Sequence, residues 1–214
     1  MEGREHKGVV WWVTAGASGN AASALQERCE AAAGVGAVVR FELAEGFELP
    51  HGATHAVVCE TADADVAGVA EAIRAASGPD GAVEEATAYR VVSQLGETDG
   101  RRMNGVVAVF TDCGEPAEEE AFNVWYEEHT RYVVENLGHY AVTRYVCVDS
   151  PAVPASTAGS TPPRYLAIYE TENEDPGQLQ RDGWKAYFEA EHTEEHTTPG
   201  SLVLRGEVAL EPRR

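Results

Sequence analysis

One histidine of this chain lies in the middle of an aromatic stripe on a predicted helix. The segment 118–137 reads EEEAFNVWYEEHTRYVVENL, and Glu127, Glu128 and Arg131 point away from its apolar face. At about 100° per residue, that face collects Phe122, Trp125, Tyr126, His129, Val133, Asn136 and Leu137. Since a solvated helix has no use for such a stripe, we expect it to pack on other elements and to carry His129 out of bulk water.

Histidine titrates near neutral pH, so two interpretations of His129 are open. It is either a core histidine hydrogen-bonded to a carbonyl or the acid/base of a pocket. As an acid/base, the neutral imidazole would remove a proton next to a carbonyl or return one to a leaving hydroxyl, while Tyr126 or Tyr132 would donate a hydrogen bond to the developing enolate. A flat substrate would stack on walls from Phe122, Trp125, Tyr126, Trp184 and Tyr187. Further polar groups expected near the ring are Asn136, His139, Arg144 and Tyr169.

The composition argues against several classes of partner. Of the 214 residues, 16 are basic and 36 acidic, and the net charge of −20 repels phosphate backbones and anionic lipids. We therefore expect no nucleic-acid partner and no membrane partner, and no apolar run approaches the ~18 residues of a membrane span. The four cysteines lack CxxC spacing and lie in apolar runs, which indicates buried, reduced thiols. The expectation is a cytoplasmic protein that binds a small molecule.

The predicted elements occur twice in the same order. Strands are predicted at 9–15, 36–43, 53–61 and 83–95, and helices at 20–33 and 65–76, giving β-α-β-β-α-β. The second half repeats this string with strands at 105–111, 139–149, 164–171 and 201–210 and helices at 118–137 and 175–190. A polar connector, 94–104, separates the halves, so we predict an N-terminal domain at 1–98 and a C-terminal domain at 104–214.

Local identities between the halves indicate an internal duplication. The matches are Gly34, Ala37, Val38 and Arg40 with Gly138, Ala141, Val142 and Arg144, and Glu60-Thr61 with Glu170-Thr171. They follow the same order along two identical strings of elements, which chance matches would not do.

A βαββαβ unit written twice predicts two ferredoxin-like α+β domains, each an antiparallel four-stranded sheet with both helices on one face. The face of each sheet that carries no helix must be buried, and packing the two sheets on each other would bury both faces. Trp11 and Trp12 lie on opposite faces of the first strand, so one is expected to face the helices and the other the opposing sheet. The pattern resembles the dimeric α+β barrel superfamily, fused here into one chain.

The second half carries a more specific similarity. Its motifs are Phe122, Trp125, Tyr126, Glu128 and His129 on the first helix, then Arg144-Tyr145, then Arg164-Tyr165-Leu166-Ala167. On these residues the segment 104–210 resembles EthD-type proteins, in which an aromatic pair is followed by a histidine. Members of that group often have a proline soon after the histidine, where this chain has Thr130-Arg131-Tyr132.

The resemblance implies a pocket between the helices and the sheet of one half, and activity without a metal or an organic cofactor. It implies His129 and Tyr126 as catalytic residues, with substrate contacts from Phe122, Trp125, Tyr132, Asn136, Arg144, Tyr169 and Trp184. The leading hypothesis is a cofactor-independent lyase or isomerase, of cyclase or dehydratase type, acting on an aromatic or polyketide-like molecule. The alternatives are a cofactor-free or haem-dependent monooxygenase and a non-catalytic binding protein. The chain would act as a monomeric pseudo-dimer or as a homodimer.

Several other sequence features do not indicate a functional site. The first helix of the first half presents Ala22, Leu25, Cys29 and Ala32 on its inward face, with no aromatic residue or histidine, so we predict one working pocket per chain, in the second half. His192, Glu195 and His196 match the spelling of a zinc-peptidase motif but lie in a polar stretch, so we predict no metal site. Gly16 and Gly19 lack the lysine of a phosphate loop and indicate a turn. Ser150–Pro163 is a long irregular stretch, either a lid or a disordered flap.

Overall fold

The computed structural model of the protein describes residues 6–14, 19–49, 53–62, 65–76, 83–148, 162–189 and 202–213. The first half contains β1 (Gly8–Thr14), α1 (Gly19–Ala31), β2 (Val35–Leu43), β3 (His55–Thr61), α2 (Val66–Ala76) and β4 (Val83–Gly96). The second contains β5 (Gly105–Cys113), α3 (Glu119–Asn136), β6 (Ala141–Cys147), β7 (Tyr165–Thr171), α4 (Pro176–Glu189) and β8 (Leu202–Arg213). The predicted elements and their order are confirmed.

The eight strands form one closed antiparallel barrel in the order β1-β3-β2-β8-β5-β7-β6-β4. Each half contributes a ferredoxin-like sheet, and the halves meet where β2 pairs with β8 and β4 pairs with β6. The predicted α+β class and the intramolecular dimeric α+β barrel are confirmed, with the refinement that the two sheets join at both edges into one. This joining also explains why β8 runs past residue 210 to Arg213, since its last residues pair with β2.

The pairing register is the same in the two halves. Equivalent pairs are Gly8–Thr61 and Gly105–Thr171, Ala37–Glu60 and Ala141–Glu170, and Arg40–Val57 and Arg144–Ala167. The residues that match in sequence therefore occupy matching places in the barrel.

Four glycines occupy equivalent places in the two halves. Gly34 and Gly138 follow α1 and α3 with φ of 82° and 79°, a left-handed conformation that other residues adopt at a cost. A Cβ at Gly8 would lie 2.5 Å from a side-chain carbon of the first residue of α2, and one at Gly105 would lie 2.6 Å from the first residue of α4. The second helix of each half therefore begins directly over the first strand.

Three apolar clusters hold the molecule together. One fills part of the barrel interior and includes Trp11, as the alternation of strand faces predicts; the side chain of Trp12 lies outside the described residues. The other two lie on the outer face, one beneath α1 and α2 and one beneath α3 and α4. All four cysteines are buried free thiols, as predicted.

In the part of the chain that the structure describes, no helix is long and apolar enough to cross a membrane. Three of the sequence predictions fall on other parts: the turn around Gly16, the motif from His192 to His196, and the stretch from Ser150 up to residue 161.

Candidate functional site

Helix α3 places the aromatic stripe against the second half of the barrel. Its buried residues are Phe122, Tyr126, Thr130 and Val133. Trp125 and His129 lie beside this row and are partly exposed, so the inward face is turned slightly from the predicted one. Asn136 is exposed, and its amide donates to the Tyr132 carbonyl at 2.9 Å within the helix. The structure therefore does not bring Asn136 to His129.

The His129 ring is enclosed by aromatic rings. Its face stacks on Trp125 with centroids 4.8 Å apart and 14° between the planes. Tyr126 and Tyr187 meet it edge to face at 5.8 and 5.4 Å. Three aromatic contacts fix the direction of the imidazole, which is what a proton-transfer group needs.

A cavity of about 50 Å³ opens beside this ring, between α3, α4 and the outer face of the sheet. Its walls are Val109, His129, Val133, Leu137, Tyr169, Gln180, Gly183, Trp184 and Tyr187. The structure thus brings together His129, Tyr169, Trp184 and Tyr187, as predicted. Tyr132 contacts Tyr187 at 6.0 Å and lines a smaller recess on the solvent side of His129.

Two tyrosine hydroxyls meet beneath the cavity. Tyr126 and Tyr169 are buried and hydrogen-bonded to each other. Burial raises the pKa of both hydroxyls, because a phenolate there would lose its hydration. Both therefore remain protonated at neutral pH and can act as hydrogen-bond donors.

Arg144 is buried beneath α3 and does not line the cavity. It donates to Glu127 Oε1 at 2.7 Å and to Asn123 Oδ1 at 2.8 Å, and its guanidinium carbon lies 4.3 Å from the centroid of the Tyr126 ring. Glu127 also accepts from Ser93 Oγ at 2.6 Å. The prediction that Glu127 points away from the packed face is wrong, because its long side chain reaches back from the flank of the helix to this arginine. Arg144 therefore holds Tyr126 in place rather than binding substrate directly.

Glu207 does not line this cavity but holds Trp184, one of its walls, and no sequence motif indicated it. Both of its carboxylate oxygens accept from Trp184 Nε1, at 2.7 and 2.6 Å. Burial raises the pKa of the carboxyl, and hydrogen bonds from Trp184 and Gln180 offset part of this effect. The available signal was a glutamate between Gly206 and Val208 in a strand whose neighbouring positions are apolar.

His139 lies beneath the other side of Tyr169, with the two rings 5.4 Å apart. It is buried, and burial lowers its pKa to about 4 despite a hydrogen bond to the backbone of Glu170. It is neutral at pH 7 and supports Tyr169 from behind, without lining the cavity.

The described residues contain no group of three or more His, Cys, Asp or Glu side chains that could hold a metal ion. A haem, which one of the alternative functions would require, does not fit a space of about 50 Å³ closed by the packed side chains of α3 and α4. We therefore assign no residue to a haem.

Comparison with known proteins identifies the fold. No family model matches the chain, and no curated protein matches it. A candidate monooxygenase from Lactobacillus acidophilus NCFM has a TM-score of 0.54 at 12% identity, covering 98% of this chain and 94% of that one. An anthrone oxidase-like protein has a TM-score of 0.53 at 10% identity, covering 99% and 93%. A mutant chlorite dismutase from Candidatus Nitrospira defluvii in complex with cyanide has a TM-score of 0.60 at 9% identity, covering 99% and 92%.

These similarities extend over nearly the whole length of both partners. At such low identity they establish the fold alone. The chain is therefore a single-chain protein of the dimeric α+β barrel class, with a small aromatic cavity under the helices of its second half.

Proposed function

We propose that the protein is a cofactor-independent lyase or isomerase in which His129 transfers a proton of a small aromatic or polyketide-like substrate. The observation that carries the proposal is that the oriented imidazole of His129 shares one cavity with the Tyr169 phenol. A proton acceptor and a neutral hydrogen-bond donor facing one space are what enolisation requires.

The expected reaction begins with loss of a proton from carbon next to a carbonyl. The neutral His129 imidazole accepts that proton, and the negative charge moves to the carbonyl oxygen. Tyr169, which donates to Tyr126 in the structure, turns its hydroxyl hydrogen to this oxygen and accepts from Tyr126 instead. The imidazolium then returns the proton to another carbon, or to a leaving hydroxyl, which gives isomerisation or dehydration.

Access to the site is expected to involve Trp184. A cavity of about 50 Å³ does not hold a two-ring substrate while the indole covers it. Trp184 is partly exposed and its N–H is held by Glu207. A substrate hydroxyl could replace the indole N–H on this carboxyl, so that the substrate ring occupies the place that the indole leaves.

A cofactor-free monooxygenase is the second candidate, and the structural neighbours favour it. Two of them bear the names candidate monooxygenase and anthrone oxidase-like protein. Such a reaction shares the first step, because removal of a proton by His129 produces an electron-rich carbanion. The candidates differ in the second step: the carbanion is reprotonated in one and reacts with dioxygen in the other.

Anthrone, which has acidic C–H groups next to a conjugated carbonyl system, is a suitable probe for both candidates. In anaerobic D₂O, NMR would measure exchange of its methylene protons, and in air an oxygen electrode would measure oxygen uptake. We expect His129→Ala to reduce either rate by about 10²–10⁴-fold. His55→Gln, in the first half, is the matched control and should retain the rate.

Unchanged rates in His129→Ala would exclude His129 as the acid/base. Exchange without oxygen uptake would favour the lyase or isomerase, and uptake dependent on His129 would favour the monooxygenase. Binding of anthrone with neither activity would favour a non-catalytic binding protein.

We also propose that the halves 1–98 and 104–214 arose by duplication and that the second belongs with EthD-type proteins. The repeated pairing register and the paired glycines support the duplication. One working pocket per chain is then expected, with the first half as its structural partner. The free, buried thiols support a reducing compartment such as the cytoplasm.

A further inference from the structure

A larger cavity lies inside the barrel, on the opposite side of the sheet from His129. Its volume is about 310 Å³, and it faces the end of the barrel at which β4 and β8 begin. Phe110 lines this cavity, whereas the preceding residue, Val109, lines the cavity beside His129. Successive side chains of a strand point to opposite faces, so β5 itself separates the two spaces.

The size of this space sets it apart from a packing irregularity. Protein interiors are close-packed, and voids larger than a water molecule are rare. An eight-stranded barrel has an interior that side chains can just fill or that holds one small ligand. Here one wall position is Gly206, where an added Cβ would find Phe110 Cδ2 at 4.0 Å as its nearest neighbour and would otherwise enter open space.

The walls define the chemistry of a ligand. They are mainly aromatic and aliphatic, from Trp11, Leu49, Tyr89, Phe110 and Val208. Trp11 and Phe110 meet edge to face at 5.2 Å and 82°, which fixes the orientation of both rings. Such a surface favours a flat apolar molecule that can stack.

Two glutamates also line the cavity. Glu48 is exposed to solvent, and Glu207 accepts from Trp184 Nε1 at 2.7 Å. Tyr89 donates its hydroxyl hydrogen to the Pro163 carbonyl at 3.2 Å.

Arg205 pairs with the buried carboxylate of Asp112, which also accepts from the Arg164 backbone N–H at 2.6 Å. Arg205 is thus compensated by Asp112, Glu207 is hydrogen-bonded by Trp184 and Gln180, and Glu48 is solvated. Among the residues that the structure describes, the cavity therefore offers no unpaired buried charge and favours an uncharged ligand. Thr87 adds one hydroxyl to the wall, enough to contact a single oxygen of the ligand.

We propose that the barrel interior is a binding site for one uncharged, flat aromatic molecule of two or three rings. This site lies on the other side of the sheet from the reaction site proposed at His129 and does not require proton transfer there, although Glu207 lines it and also holds Trp184.

Titration with N-phenyl-1-naphthylamine, an uncharged aromatic dye that brightens in apolar surroundings, tests the site in the full-length protein. Two glycine variants separate the cavities, because Gly206 lines the barrel cavity and Gly183 lines the His129 cavity. We expect one dye molecule per chain, a dissociation constant raised at least tenfold in Gly206→Leu, and an unchanged constant in Gly183→Ile. Energy transfer from tryptophan to the dye should fall in parallel.

Each other outcome overturns the proposal. Loss of binding in Gly183→Ile with retention in Gly206→Leu would place the dye beside His129. Retention in both variants would indicate surface binding, and absence of saturable binding would indicate a closed interior. If Gly206→Leu fails to fold, Thr87→Leu fills the same cavity from β4 and carries the same expectation.

Discussion

The two pairs of helices, α1 with α2 and α3 with α4, cover sheets that have the same pairing register, but their side chains pack in different ways. Leu25 and His129 lie equally far before Gly34 and Gly138, the glycines that come after α1 and α3. Leu25 is fully buried among aliphatic residues, whereas His129 lines a cavity. At this pair of equivalent places, the first half is filled by an aliphatic side chain, whereas the second half has a cavity.

The second helices show the same contrast. Ile73 and Gly183 lie equally far into α2 and α4. Ile73 is fully buried, and at the equivalent place Gly183 leaves part of the cavity wall without a side chain. The hollow in the second half thus comes from particular residue types rather than from a different backbone path.

The equivalent arginines extend the comparison. Arg40 and Arg144 hold matching places in the strand register, and each donates to the first helix of its own half. Arg40 reaches Ser23, while Arg144 reaches Asn123 and Glu127 and stacks on Tyr126. The same place in the register thus carries a contact with a serine in one half and supports a buried phenol in the other.

The largest expected effect is the loss of stability when a fully buried side chain beneath either pair of helices is truncated. Phe122 and Leu25 are both fully buried, so replacement by alanine should lower the free energy of unfolding by about 3–5 kcal/mol for Phe122→Ala and about 2–5 kcal/mol for Leu25→Ala. Because the sheets close into one barrel, urea unfolding monitored by circular dichroism should remain a single transition in both variants. Two transitions, each shifted by one of the variants, would show that the halves unfold separately.

The next effect is an acid sensitivity specific to the second half. The pKa of His139 falls from 6.5 to about 4 on folding, so between these values the unfolded chain binds more protons than the folded one. Stability should therefore decrease as the pH falls from 6.5 towards 4, by about 3 kcal/mol from this group.

The residue at the matching place in the first half is Val35, which makes His139→Val the natural test. Denaturant unfolding at pH 7 and at pH 4.5 should show a smaller pH-dependent loss in His139→Val than in the wild type. An equal loss in both proteins would contradict the assignment to His139.

A difference of about 2 kcal/mol should separate the arginines. Arg144→Leu removes charge-assisted bonds and a desolvated cation–π contact, which we expect to cost about 3 kcal/mol, while Arg40→Leu should cost about 1 kcal/mol. Thermal or urea unfolding of the two variants measures this difference. Equal losses of stability in the two variants would mean that the stacking of Arg144 on Tyr126 contributes little to the free energy of unfolding.

Gly183→Ile is expected to change stability least and to lower the anthrone rates strongly. Isoleucine is a better helix former than glycine by about 0.5 kcal/mol, so stability should hold or rise slightly. The side chain would fill the cavity as Ile73 does in the first half, and the anthrone rates should fall towards those of His129→Ala. A stable variant with undiminished rates would show that the reaction takes place elsewhere.

The element order could be predicted from sequence, because strand alternation, helix periodicity and turn glycines are local signals. The barrel followed from the need to cover two bare sheets and from the resemblance to the dimeric α+β barrel superfamily. The aromatic stripe of α3 was also recognisable, and with it the cavity beside His129.

Side-chain reach was harder to predict. A helical wheel gives directions from the axis and not lengths. It directed Glu127 away from the apolar face, although the carboxylate of this half-exposed side chain reaches Arg144, and it placed Asn136 on that face although Asn136 is exposed. Glu207 was missed because its burial depends on α4 folding back over the strand that follows it, which no local pattern encodes.

The pairing of β2 with β8 and of β4 with β6 has an evolutionary consequence. In a barrel assembled from two identical chains, any substitution appears on both sides at once, so a residue that opens a hollow opens two. When one chain supplies both sheets, a substitution affects one half alone. The first half can keep its aliphatic filling and stabilise the barrel, while the second half loses some stability to an aromatic cavity.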